Sequence, residues 1–69
     1  MLFTDVSSDR LVRALKKEGF RIIAEGKHIG MSNGTLRVTI PRHSRLNPYT
    51  IKAILKAAQV SERQLKELL

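Results

Sequence analysis

After Ser8 the apolar residues return at helical spacing. Leu11, Val12 and Leu15 form a narrow stripe with Ala14 beside it, while Arg10, Arg13 and Lys17 line the opposite side. Ser7 or Ser8 can accept a hydrogen bond from an orphan backbone N–H, and Asp9 suits the positive end of the dipole, so a helix is expected to start there. Gly19 tolerates the left-handed backbone that closes a helix. The period then drops from 3.6 to 2. Residues 20–24, 27–32 and 35–40 read as three short strands. Asn33-Gly34 accepts positive φ at both positions of a two-residue hairpin, and Glu25-Gly26 reads as a second tight turn. Turns of that length put Met31 opposite Leu36, Ile29 opposite Val38 and His28 opposite Thr39. They also put Phe20 opposite Met31, Ile22 opposite Ile29 and Ile23 opposite His28. One face then carries Phe20, Ile22, Ile29, Met31, Leu36, Val38 and Ile40, and must be the core face. The other carries Arg21, Ile23, His28, Gly30, Ser32, Arg37 and Thr39. A slip of one residue would turn His28 inward.

Pro41 is expected to end the third strand, with a basic loop over residues 42–46. Asn47 as N-cap and Pro48 at the first helical position open a second helix. Its buried face is Ile51, Ile54, Leu55 and Ala58, at i, i+3, i+4 and i+7, with Lys52 and Lys56 on the solvent side. Ser61-Glu62-Arg63-Gln64 is a capping box, and Val60 with Leu65 makes a hydrophobic staple. A short third helix follows, with Leu68 and Leu69 as anchors. The order α-β-β-β-α-α is an α+β two-layer sandwich, helices on one face of an antiparallel meander and the other face open. No repeat or linker divides residues 1–69, which read as a single domain.

Composition adds a partner to this picture. The chain has 69 residues, 42% of them hydrophobic, enough for a compact core in a domain of marginal size. Its net charge is +7. The eleven Lys and Arg between Arg10 and Lys56 are opposed there only by Glu18 and Glu25, and the remaining acids, Asp5, Asp9, Glu62 and Glu67, sit near the ends. Such a balance favours a polyanion, most often nucleic acid. The absence of cysteine excludes disulfides and cysteine-ligated metal and suits a reducing compartment. No basic start followed by an apolar run marks a signal peptide, and no apolar run approaches ~18 residues, so a cytoplasmic protein without a membrane partner is expected.

Little in the chain can do chemistry, and His28 is the first candidate. An outward imidazole on a sheet is ordinarily only a polar surface group. Here small or polar neighbours, Gly30 and Thr39, leave room for a substrate. Arg21 and Arg37 on the same face can hold a phosphate, and imidazole suits proton transfer near neutral pH. His43, in the basic loop, is a candidate second acid or base or a phosphate contact. Arg42, Arg45, Lys52 and Lys56, with Arg10, Arg13, Lys16 and Lys17 on the first helix, form a candidate phosphate-binding surface. Two histidines without paired carboxylates or cysteines do not make a zinc site. There is no nucleotide-binding glycine loop and no nucleophile elbow. The open face has no aromatic residue for base stacking. Three classes remain: an enzyme that uses His28 on a phosphate-bearing substrate, a non-catalytic basic RNA-binding module, and a module that binds an acidic protein.

The segments LVRALKKEGF, GKH, RVTIPRH, LNPYTIKAILKAA and SERQLKELL, in that order over nearly the whole chain, resemble the HicA-type toxins of bacterial and archaeal toxin–antitoxin systems. The most diagnostic residues are Gly19-Phe20, Gly26 with His28, Pro41 with His43, and Thr50-Ile51 leading to Ile54-Leu55. The resemblance implies a double-stranded-RNA-binding-domain-like α-β-β-β-α sandwich, here with a short extra C-terminal helix. It implies an endoribonuclease that cuts mRNA without metal or cofactor and arrests translation. It also implies a HicB-type antitoxin that masks the active site. The family's catalytic histidine follows its glycine by two positions, which falls on His28. Between them the family commonly has a small residue, often serine, and this chain has Lys27. That charge either disfavours protonation of His28 or helps to bind phosphate. In the implied reaction His28 is the general base, and Lys27, Arg21 or Arg37 stabilises the phosphoryl oxygens.

Overall fold

A computed structural model describes residues 3–69. Helix α1 (Ser8–Lys17) leads into strands β1 (Arg21–Glu25), β2 (His28–Ser32) and β3 (Arg37–Pro41), then helices α2 (Pro48–Ala58) and α3 (Glu62–Leu68). The strands form one antiparallel sheet in the order β1-β2-β3, so β2 is central. This is an α+β arrangement, the double-stranded-RNA-binding-domain-like α-β-β-β-α order with a third helix added.

Local chemistry sets the helix ends. Ser7 is the N-cap of α1, its hydroxyl accepting from Arg10 N at 3.1 Å. Past the Glu18 cap, Gly19 takes φ +92°, a left-handed backbone that any side chain would strain. Asn47 caps α2, its Oδ1 accepting from Tyr49 N at 2.8 Å, with Pro48 at the first position. The capping box of α3 is closed both ways. Gln64 N donates to Ser61 Oγ at 3.1 Å, and Ser61 N donates to Gln64 Oε1 at 2.9 Å.

The core lies between the inner face of the sheet and the helices. Leu11 and Leu15 of α1, Met31 and Ile40 of the sheet, Ile51 of α2 and Leu65 of α3 are all fully buried. Full burial of side chains this size contributes roughly 1.5–3 kcal/mol each. Lys17 adds a tie between helices, its Nζ donating to the Leu68 carbonyl at 3.1 Å.

The register differs from the expectation. Ser32 pairs with Arg37, so the loop between β2 and β3 holds residues 33–36 rather than Asn33 and Gly34 alone. The cause is the asparagine side chain. Asn33 Oδ1 accepts from both Thr35 N at 2.9 Å and Leu36 N at 2.7 Å, which shapes a longer turn with Gly34 at φ +97°. His28 therefore faces Pro41, not Thr39, and Gly30 faces Thr39, not Arg37. The displacement is even, so every side chain keeps its face. Across β1 and β2 the pairing is broken by a bulge. Ile22 faces Met31 and Ala24 faces Gly30, leaving Ile23 as the extra residue instead of a partner of His28. Phe20 precedes β1 and is buried in the core without a strand partner.

The loop after β3 is fastened to the start of the chain. Ser8 N donates to the His43 carbonyl at 3.0 Å, and Leu46 N donates to the Val6 carbonyl at 2.8 Å. Leu46 is buried beneath this clip, and Arg45 lies 3.5 Å from Asp5.

Candidate functional site

The face of the sheet turned away from the helices carries His28. It is the first residue of β2, is exposed, and its imidazole makes no hydrogen bond or ion pair among the described residues. Alternation puts Gly30 and Ser32 of β2, Arg37, Thr39 and Pro41 of β3, and Arg21 and Ala24 of β1 on the same face.

The turn that presents the imidazole is held from two sides. Gly26 N donates to the His28 carbonyl at 3.2 Å, closing the hairpin. From the end of β3, Arg42 Nε donates to the Gly26 carbonyl at 2.7 Å, and Arg42 Nη2 stands 3.9 Å from Glu25 Oε1. Arg42 thus spends its guanidinium on the backbone beside His28. Lys27 lies within this turn and is exposed.

Gly30 is buried rather than open to substrate. The bulge at Ile23 brings Ala24 over it, and a methyl group added to Gly30 would sit 3.3 Å from Ala24 Cβ. Ile23 itself is 48% exposed. Room for a substrate beside His28 therefore comes from Thr39 and Pro41, not from Gly30.

The other candidates are spread out. Arg21 and Arg37 both pair with Ser32, four residues along β2 from His28 and so about 13 Å away along the strand. His43 is exposed, its carbonyl engaged by Ser8 N and its side chain without a partner among the described residues. Arg45 shares its charge with Asp5. Lys52 stands exposed on α2, in the helical layer rather than on the sheet face. Among the described residues no three of His, Cys, Asp and Glu gather as metal ligands, and no helix is long and apolar enough to cross a membrane. One exposed group escaped the sequence reading. Tyr49 of α2 is 70% exposed, and the helical spacing that buries Ile51 and Ile54 already turns it outward.

Comparison with known protein families gives a match over most of the chain. The family described as the HicA toxin of bacterial toxin–antitoxin systems matches residues 8–60, from the first residue of α1 to the residue before the α3 cap. No curated protein and no solved structure matches the chain. The matched span holds the whole sheet, the His28 turn and α2, well over half of the sequence. The chain belongs to the HicA toxin family of bacterial toxin–antitoxin systems.

Proposed function

We infer that this toxin is a metal-independent endoribonuclease that cuts mRNA in the cytoplasm, with His28 as its general base. The observation that carries the reading is an exposed imidazole, without a partner among the described residues, on the sheet face turned away from the helices and in a turn held by Arg42. Neutral His28 takes the proton of a ribose 2′-OH. The freed oxygen attacks the adjacent phosphorus, and the bond from phosphorus to the 5′-oxygen breaks. Water or His43 returns a proton to that leaving oxygen. Lys27, the chain neighbour of His28, is the cation nearest in sequence to the developing charge, and Arg21 and Arg37 grip backbone farther along the strand. General base catalysis of this kind is worth roughly 10²–10⁴-fold. A HicB-type antitoxin that covers the same face explains neutralisation, since it would hide the imidazole from RNA.

Purified protein incubated with a labelled transcript is expected to leave 2′,3′-cyclic phosphate and 5′-OH ends, to work in EDTA, and to spare DNA, which has no 2′-OH. His28→Ala is expected to remove cleavage and toxicity while the circular dichroism spectrum is unchanged. A folded, active His28→Ala variant overturns the assignment. Salt-sensitive RNA binding without any cleavage by the wild type favours the non-catalytic module instead.

A further inference from the structure

The chain from Gly26 to Ser61 contains no Asp or Glu, and α2 lies wholly within it. Burial of Ile51, Ile54, Leu55 and Ala58 turns a second stripe of α2 to solvent. It carries Tyr49, Lys52 and Lys56, at i, i+3 and i+7, all exposed. Tyr49 stands out because 70% of its surface is open. An aromatic ring of this size is ordinarily used in a core or an interface. The backbone N–H of Tyr49 donates to the Asn47 cap, and its phenol has no hydrogen-bond partner among the described residues. The two lysines likewise make no ion pair among the described residues.

We propose that this stripe is a platform for single-stranded RNA, on which a nucleobase stacks against Tyr49 and neighbouring phosphates meet Lys52 and Lys56. It rests on the nuclease reading for the identity of the polyanion, and it carries the substrate path from the sheet to the helical layer. Two arguments select an unpaired strand. Lysines alone would bind any polyanion, but a ring open on its face is matched by the flat face of an unpaired base. The distance also suits one strand. Pro41 faces His28, and the segment from Pro41 to the α2 cap at Asn47 spans at most about 22 Å even if fully extended. The start of α2 thus lies within about 22 Å of Pro41, at the end of the loop that bears His43 and Arg45.

Tyr49 is the only tyrosine and the chain has no tryptophan, so its emission reports on the platform directly. The titration uses the full-length His28→Ala protein, which leaves the RNA intact, and a short unstructured oligoribonucleotide. The expected result is quenching of tyrosine emission that saturates with binding. An oligonucleotide lacking bases is expected to bind more weakly and to leave the emission unchanged. Tyr49→Ala is expected to weaken binding roughly 5- to 150-fold, the range for loss of one stacked base, and Tyr49→Phe to restore it. Lys52→Ala is expected to flatten the dependence of log K on log salt by about 0.7. Saturating RNA without quenching, or unchanged affinity in Tyr49→Ala, overturns the platform. So does quenching by an acidic peptide but not by RNA. Wild-type cleavage is scored separately. Cutting without quenching removes the platform and leaves the nuclease, and quenching without cutting does the reverse.

Discussion

Arg42→Ala is expected to slow RNA cleavage far more than it weakens RNA binding. The guanidinium donates to the Gly26 carbonyl at 2.7 Å, within the short range of charge-assisted bonds. Such bonds contribute about 1.5–3 kcal/mol when shielded, and the Arg42 side chain is 46% exposed, so ~1–2 kcal/mol is the fair figure. The contact with Glu25 at 3.9 Å, exposed on both sides, adds at most a few tenths. At 1.4 kcal/mol per factor of ten, loss of the bond lowers the held fraction of the turn by at most about 5- to 30-fold. This is a ceiling, because the Gly26 to His28 backbone bond at 3.2 Å survives the substitution. The measurement is single-turnover cleavage by Arg42→Ala and Arg42→Lys, paired with RNA affinity of the same variants in a His28→Ala background. Lysine keeps the charge but loses the fork that reaches Gly26 while facing Glu25. Both variants should therefore lose rate and keep most of their affinity. If Arg42→Ala loses affinity by as much as it loses rate, and lysine restores both, Arg42 is a phosphate ligand and the argument from the turn fails.

Three further outcomes follow from the fold. Gln59, the C-cap of α2, sits at φ 57°, ψ 38°, a left-handed backbone that costs a side chain about 1–2 kcal/mol. Gln59→Gly should raise the melting temperature by roughly 2–8 °C for a gain of about 0.5–1 kcal/mol, and a lower value would refute the cap reading. Gly30→Ala should destabilise by about 1 kcal/mol because its new methyl meets Ala24 Cβ at 3.3 Å. Adding Ala24→Gly should recover part of that loss in urea titrations, whereas strict additivity would show that the two groups do not touch. Ser61→Ala should cost about 1 kcal/mol through loss of the α3 N-cap, and Gln64→Ala in that background should cost little more, as thermal melts of the double variant would show.

The helix boundaries were legible because their determinants are local. Ser7, Asn47 with Pro48, and Ser61 with Gln64 act on N–H groups within three residues of themselves, and each occupies the position that its chemistry requires. The sheet was harder to read. Asn33-Gly34 marked a turn correctly, but the asparagine side chain competes for Thr35 and Leu36, and that competition added two residues to the loop. The bulge at Ile23 has no sequence signature, since a bulge arises from strand twist against neighbours rather than from one residue type. The candidate site inherited both effects. His28 kept its face because the shift was even, while Arg21 and Arg37 proved to flank Ser32 and not the imidazole. Arg42 read as one more phosphate-binding cation, because a side-chain bond to a distant carbonyl leaves no trace in spacing.

The clip between residues 5–8 and 43–46 bears on how the molecule folds. The β1-β2-β3 meander pairs only strands that adjoin in sequence, so its contacts are local and cheap in loop entropy. The bonds from Ser8 to His43 and from Leu46 to Val6 instead close about half the chain. Closures of that span are formed late in small domains, since their entropy is lost before their contacts reward it. The hairpins therefore assemble ahead of the clip, and substitutions at Leu46 should mainly speed unfolding, whereas those at Met31 or Val38 should slow folding.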